Sequence, residues 1–185
     1  RLTLNKANLT NVSKNSHFLI QLKTLSFDNI AFRFYSEWMI YDNLPHSKSA
    51  DNNKDPILHE LKNIITKDDQ TLLEIGSGTG QHAVFFSTHF PHLKWQTSDL
   101  KINHEIINAY REKANLKNVL APIEYEAGKT KLPFKKFHLI FTVNTFHIMS
   151  WKKVKTVLKN IHNSLVEGGQ FIVYGPFNID GEFTA

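Results

Sequence analysis

The pattern of apolar positions predicts five strands that alternate with helices. Five short segments are predicted to be strands, the first of them an apolar run typical of a buried strand, and they lie at 72–75, 94–98, 119–125, 137–143 and 170–174. The fourth run is apolar on both faces, as a central parallel strand requires. Strands and helices that alternate through right-handed crossovers predict an α/β fold, with five parallel strands in a doubly wound sheet and helices on both faces.

Apolar residues at helical spacing predict four helices, one before the first strand and three between strands. Asp55 as N-cap and Pro56 at the first helical position predict the start of the helix before the first strand. The second helix follows the first strand and ends before Pro91. The third spans 101–114, with Ile102, Ile106, Tyr110 and Ala114 on its apolar face, and the fourth is capped by Ser150 and ends at Gly168 and Gly169.

The first 50 residues follow no clear period. Residues 1–16 are rich in Asn, Lys, Ser and Thr, whereas 17–40 are apolar and aromatic. We therefore predict an N-terminal extension over 1–50 and one domain over 51–185. We expect 1–16 to be poorly ordered. The apolar part of the extension either covers part of the core or forms a lid over a substrate pocket, since such segments often carry specificity.

A glycine turn follows the first predicted strand, with Gly76, Gly78 and Gly80 at alternate positions. Strand, glycine turn and helix in this order form a nucleotide-binding half of an open α/β sheet. Glycine permits unusual backbone angles and lets a ligand approach the chain closely. A dinucleotide-binding turn would need glycine at position 81, which is Gln81. A nicotinamide-linked oxidoreductase is therefore a distant alternative.

Asp99 ends the second predicted strand, 19 positions after Gly80. An acidic residue at about this distance from a glycine turn can accept hydrogen bonds from ribose hydroxyls. The competing interpretation is that Asp99 caps the helix that follows it. Both interpretations stay open on the sequence alone.

Composition narrows the functional classes. The chain has 185 residues, of which 41% are hydrophobic and 21% charged, as in a globular domain. It has no cysteine, which excludes disulfides, thiolate zinc sites and cysteine nucleophiles and fits a reducing, cytoplasmic location. No apolar run is long enough to span a membrane. His89 and His92 have no third ligand nearby in sequence, so no metal site is predicted.

The net charge of +5 does not predict a nucleic-acid partner. Almost all the basic residues are lysines, and they are scattered among Asn, Asp and Glu rather than clustered with aromatic residues.

Five stretches together resemble the class I S-adenosylmethionine-dependent methyltransferases, and more narrowly the methyltransferase-like protein twenty-six type family of unassigned substrate. They are NKDPIL at 53–58, SGTGQH at 77–82, WQTSD at 95–99, NTFHIMSW at 144–151 and YGPF at 174–177. The resemblance covers about 52–185 and implies a Rossmann-like sheet. That sheet normally closes with antiparallel strands six and seven, for which the chain has no residues left. We therefore expect a C-terminally truncated domain with an open sheet edge. Such an edge exposes apolar surface and unpaired backbone groups, so we expect the domain to be marginally stable or to form a homodimer.

The resemblance also implies a cofactor, S-adenosylmethionine, and residues that hold it. Glu74 and the turn residues Gly76, Ser77, Gly78, Thr79 and Gly80 would face its amino-acid end, Asp99 its ribose, Glu126 and Ala127 its adenine, and Asn144 its methionine part. His147 is the candidate for acid–base work or substrate orientation, because imidazole titrates near neutral pH. Tyr174 is the candidate for lining the acceptor pocket. For both, a purely structural role is the equal alternative.

These features predict a methyltransferase that acts on a small-molecule acceptor. Its donor methyl group is already activated, so aligning the reactants suffices and no nucleophile triad is needed. The segment 144–147 lacks the Asn/Asp-Pro-Pro-aromatic signature of enzymes that methylate exocyclic amines of bases, which argues against a DNA substrate. The alternative is a non-catalytic interaction module that binds S-adenosylmethionine.

Overall fold

The computed structural model describes residues 18–21, 44–132, 136–179 and 182–183. The predicted lid falls mostly on 22–43, and Pro133 and Phe134 belong to a predicted loop; these positions lie outside the described residues. One-turn 3₁₀ helices lie at Lys101–Asn103 and Phe146–Ile148. The other elements, in chain order, are β1 (Phe18–Gln21), α1 (Lys48–Ile64), β2 (Thr71–Ile75), α2 (Gln81–His89), β3 (Lys94–Asp99), α3 (His104–Ala114), β4 (Val119–Glu124), β5 (Phe137–Val143), α4 (Trp151–Ser164), β6 (Leu165–Gly175), β7 (Asn178–Ile179) and β8 (Glu182–Phe183).

The main sheet has the strand order β1-β6-β5-β2-β3-β4. The five strands from β2 to β6 are parallel to their neighbours, which confirms the predicted sheet. The chain builds outward from β2 through β3 to β4, then crosses back to place β5 on the other side of β2. The order therefore reverses between β2 and β5. None of the helices in the described part of the chain is long and apolar enough to cross a membrane.

Alternation along the central strands buries both faces of the sheet. Leu72 of β2 belongs to an apolar cluster with α1 and α2, whereas its neighbour Leu73 belongs to a second cluster with α4. Full burial of such a side chain stabilises the fold by about 1.5–3 kcal/mol relative to exposure. Aromatic rings fill the centre of the first cluster, where the ring centroids of Phe86, Trp95 and Phe141 lie 5.8–5.9 Å from one another.

Two helix boundaries differ from the predictions. Helix α1 begins at Lys48 rather than after Asp55, because Ser47 caps it and accepts a hydrogen bond from the Ala50 amide at 3.3 Å; Pro56 lies inside the helix. Helix α4 ends at Ser164, four residues before the predicted glycine stop. Leu165 instead begins β6 and pairs with Phe137, so the glycines belong to a strand.

The predicted apolar face of α3 is also wrong at its start. Ile102 is 83% exposed, whereas Ile107 and Tyr110 are buried. Residues 101–103 form a 3₁₀ turn with three residues per turn, so Ile102 is not carried onto the face that an α-helix would give it.

The edge of the sheet beside β6 is paired, contrary to the expected open edge. β1 runs antiparallel along it, from Phe18 opposite Gly175 to Gln21 opposite Ile172. The backbone groups of β6 that the expected edge would expose therefore have strand partners at these positions. β7 and β8 form a separate antiparallel pair.

Candidate functional site

A cavity of about 420 Å³ opens at the carboxyl ends of β2 and β5, where the strand order reverses. Open α/β sheets bind ligands at this place, and small-molecule pockets typically enclose about 300–1,000 Å³. The cavity combines the glycine turn, the loop after β5 and the amino end of α1. Its lining residues are Ser47, Ser49, Ala50, Gly76, Ser77, Gly78, Thr79, His82, Val143, Asn144, His147 and Pro176.

All three glycines of the turn have left-handed backbone angles, with φ of +75° at Gly76, +57° at Gly78 and +87° at Gly80. A Cβ atom at Gly76 would lie 2.8 Å from Thr145 Oγ1, and one at Gly80 would lie 3.3 Å from the Cα of Ile107. A Cβ at Gly78 would meet nothing within 4 Å. Gly76 and Gly80 therefore permit close packing, whereas Gly78 leaves space at the cavity.

Hydrogen bonds hold the glycine turn against the end of β3. The amides of Gly76 and Ser77 both donate to the Ser98 carbonyl, at 2.9 and 3.0 Å. In return, the Ser98 amide donates to Ser77 Oγ at 3.1 Å. These bonds hold the turn next to Asp99, the residue that follows Ser98.

The Asp99 carboxylate joins the turn to the segment after β3. Its Oδ2 accepts a 2.6 Å hydrogen bond from the Gly78 amide, and its Oδ1 accepts from the Leu100 amide and from Asn103 Nδ2, at 2.7 and 2.8 Å. The contacts with Leu100 and Asn103 are those of a residue that caps the following turn. A carboxylate has about four acceptor sites, so these three bonds leave capacity for one further donor.

Glu74 lies behind the turn and does not line the cavity. It is 1% exposed, and its Oε2 accepts a 3.0 Å hydrogen bond from the Trp95 indole nitrogen. Burial raises the pKa of Glu74 from 4.5 to about 7, while hydrogen bonds from Trp95 and Ser77 oppose that rise. The carboxyl group is therefore half protonated near neutral pH.

Asn144 and His147 reach the cavity from the loop after β5. Asn144 has φ of +52° although it is not glycine, and its amide donates to the Tyr174 carbonyl at 2.8 Å. Such backbone angles concentrate at functional sites. His147 lies in the 3₁₀ turn that follows and lines the same cavity.

A model of the family described as "Protein of unknown function (DUF938)" matches residues 44–185. The chain belongs to this family. The matched region includes the amino end of α1, which lines the cavity, and it ends at the last residue of the sequence.

Solved structures with a similar fold include methyltransferases. The S-adenosylmethionine-dependent methyltransferase SibL, in its apo form, gives a TM-score of 0.64 at 17% identity, over 71% of this chain and 38% of that one. Coclaurine N-methyltransferase bound to N-methylheliamine and SAH gives a TM-score of 0.57 at 16% identity, over 73% of this chain and 41% of that one. The O-methyltransferase of a trans-AT PKS multienzyme of Brevibacillus brevis was solved in complex with S-adenosyl-L-homocysteine. It gives a TM-score of 0.55 at 20% identity, over 69% of this chain and 44% of that one. The chain matches about two fifths of the length of these proteins, and the likeness shows a shared Rossmann-like fold.

In this DUF938 chain, the cavity brings together six of the twelve residues predicted for the site. They are Gly76, Ser77, Gly78, Thr79, Asn144 and His147. Gly80 and Asp99 lie beside them, as N-cap of α2 and as the hydrogen-bond partner of Gly78.

The remaining predicted residues lie away from the cavity lining. Tyr174 is 7% exposed in the core, and burial raises its pKa. The Glu126 carbonyl accepts hydrogen bonds from the amides of Lys129 and Thr130, which close a turn after β4. Ala127 packs on the apolar cluster under α4. Their assigned roles stay predictions.

Sequence reasoning missed the contribution of α1. Ser47, Ser49 and Ala50 line the cavity, and His82 joins them. Burial lowers the pKa of His82 to about 4, so the imidazole is neutral at neutral pH. A serine at position 47, three residues before Ala50, is an N-cap signal that could have revealed the start of α1.

Proposed function

We propose that this chain is an S-adenosylmethionine-dependent methyltransferase that acts on a small-molecule acceptor. The observation that carries the proposal is the left-handed glycine turn whose Gly78 amide is bonded to the Asp99 carboxylate beside a cavity at the switch point of the sheet. The three solved structures described above support it, because each is a methyltransferase and two of them contain S-adenosylhomocysteine, the demethylated cofactor. The narrower likeness to the methyltransferase-like protein twenty-six type stays a prediction from the sequence.

The residues of the cavity fit this cofactor. Gly78 leaves open space, and Asp99 has acceptor capacity for a ribose hydroxyl. Among the residues that the structure describes, no lysine or arginine lines the cavity, and the low pKa keeps His82 uncharged. The lining therefore does not repel a cationic sulfonium. The turn from Gly76 to Thr79 would hold the amino-acid end, and the amino end of α2 favours the carboxylate there.

The bound cofactor would supply an activated methyl group. The chain would supply alignment of the acceptor, which can account for most of the rate gain of such a transfer. His147 lines the cavity, where its imidazole could orient an acceptor or take up its proton. The role of Tyr174 in the acceptor pocket, the cytoplasmic location and the absence of a nucleic-acid partner are parts of the same proposal.

Calorimetric titration of the intact protein with S-adenosylmethionine, S-adenosylhomocysteine and NAD tests the cofactor. We expect both sulfur compounds to bind and NAD not to bind. Asp99→Ala should weaken binding by about 10- to 100-fold, because a hydrogen bond to a charged group contributes about 1.5–3 kcal/mol. Asp68→Ala, an exposed carboxylate before β2, is the matched control and should leave affinity unchanged.

Failure of the folded protein to bind either sulfur compound would overturn the proposal. If they bind, methyl transfer from labelled S-adenosylmethionine to a panel of small phenols, thiols, amines and carboxylates tests the reaction. Binding without transfer to any class would favour the non-catalytic module.

A further inference from the structure

Two walls of the cavity come from separate segments. Ser47, Ser49 and Ala50 at the amino end of α1 form one wall, and Gly78 and Thr79 of the glycine turn form another. The two walls belong to segments about 30 residues apart in sequence. Their relative position therefore depends on side-chain contacts between α1 and α2.

Gln81 makes the first of these contacts. Its side-chain oxygen Oε1 accepts a hydrogen bond from the backbone amide of Ser47 and another, at 2.9 Å, from Thr79 Oγ1. The residue is 9% exposed. A single buried oxygen thus joins the N-cap of α1 to the glycine turn. This is the position at which a dinucleotide-binding turn would carry glycine, which has no side chain for the contact.

His82 makes a second contact further along α1. Its Nε2 lies 2.8 Å from Oδ1 of Asn53, which is 7% exposed, and it also forms a hydrogen bond to the backbone of Ala50. The imidazole ring stacks on Phe86, with ring centroids 5.2 Å apart. Asn53 lies six residues after Ser47, so the two contacts fix both the start and the second turn of α1.

We infer that Gln81 is a positioning residue that holds the amino end of α1 against the glycine turn and thereby slows release of the ligand from the cavity. The inference rests on the proposed function for the identity of that ligand. Gln81 acts through Ser47 and Thr79 and does not line the cavity itself. Without its oxygen, the Ser47 amide loses its acceptor, and the start of α1 separates from the turn more often.

Two substitutions of Gln81 separate this role from simple packing. Gln81→Ala removes the acceptor oxygen. Gln81→Glu keeps an acceptor for both donors and places a negative charge at the first residue of α2, where the helix dipole favours it. Thr88→Ala is the matched control, since Thr88 lies on α2 and its hydroxyl forms hydrogen bonds to Phe85 and His89 of the same helix.

The first measurement is the dissociation rate of S-adenosylhomocysteine by stopped-flow displacement. The second is hydrogen exchange of the amides of 47–53 in the ligand-free protein. We expect Gln81→Ala to raise the dissociation rate about tenfold and the exchange rate of these amides by a similar factor. Gln81→Glu should stay within about threefold of the wild type for both, and Thr88→Ala should change neither.

Unchanged exchange at 47–53 in Gln81→Ala would overturn the inference, as would equal effects in Gln81→Ala and Thr88→Ala. If the wild-type protein binds no S-adenosylhomocysteine, the proposed function fails, while the exchange experiment still decides whether Gln81 holds α1. Faster exchange with an unchanged dissociation rate would contradict the claim that α1 controls ligand release.

Discussion

Replacing Gly78 by alanine is expected to weaken binding of S-adenosylmethionine at least tenfold while leaving the protein folded. The added Cβ meets no protein atom within 4 Å, and Gly78 lines the cavity, so the methyl group takes space that the ligand needs. The substitution also puts a side chain at φ of +57°. Left-handed backbone costs a non-glycine residue roughly 1–2 kcal/mol. Affinity should therefore fall by at least tenfold in calorimetry, with only a modest decrease in the unfolding temperature.

Gly168 offers a closely matched control. It has φ of +74°, and a Cβ there would also meet nothing within 4 Å. It lies near the start of β6, seven residues before Gly175, and thus away from the carboxyl end of the sheet. Gly168→Ala should cost the same stability through backbone strain and leave affinity unchanged. Equal affinities for Gly78→Ala and the wild type would show that the ligand does not approach the turn at Gly78.

The sequence predicted the parallel strands and the glycine turn because local chemistry specifies both. A run such as 137–143, apolar on both faces, has few stable positions other than the centre of a sheet. Glycines at alternate positions after a strand indicate left-handed angles, which all three adopt. Gly76, Gly78, Asn144 and His147 then meet because the carboxyl ends of β2 and β5 are neighbours.

The start of α1 was predicted at the wrong residue, although Ser47 is itself a possible N-cap. Pro56 after Asp55 is a strong local signal for the start of a helix, yet the helix begins eight residues earlier. The first turns of α1 are fixed by Gln81 and His82, whose contacts with Ser47 and Asn53 exist only in the folded chain. The pairing of β1 with β6 is likewise a contact between distant parts of the sequence.

The face of the sheet on which Glu74 lies could have been predicted from the sequence. Side chains alternate along a strand, so Glu74 must share the face of Leu72, which packs under α1 and α2. The assignment of Glu74 to the cofactor, which the resemblance implies, stays a prediction. Burial beneath the turn gives Glu74 a different property, a carboxyl group whose pKa lies near 7.

Glu74→Gln is expected to change the pH dependence of stability by about 3 kcal/mol. The pKa of Glu74 rises from 4.5 in the unfolded chain to about 7 in the folded one. Between these values the folded protein holds a proton that the unfolded chain lacks, so raising the pH through this window destabilises the wild type. One pKa unit corresponds to about 1.4 kcal/mol. Gln at position 74 does not titrate, so the variant does not lose stability in this way. Its free energy of unfolding minus that of the wild type should therefore rise by about 3 kcal/mol between pH 4.5 and 8.

His82 contributes with the opposite sign and hides this effect in the wild type. Its pKa falls from 6.5 to about 4 on folding, so between these values the unfolded chain holds the extra proton and stability increases with pH. From pH 4.5 to 6.5 the two groups oppose each other. Urea unfolding of Glu74→Gln and of His82→Gln across this range should give slopes of opposite sign relative to the wild type. Parallel curves for Glu74→Gln and the wild type would mean that Glu74 titrates near 4.5 in the folded protein, which its burial and its proximity to Asp99 oppose.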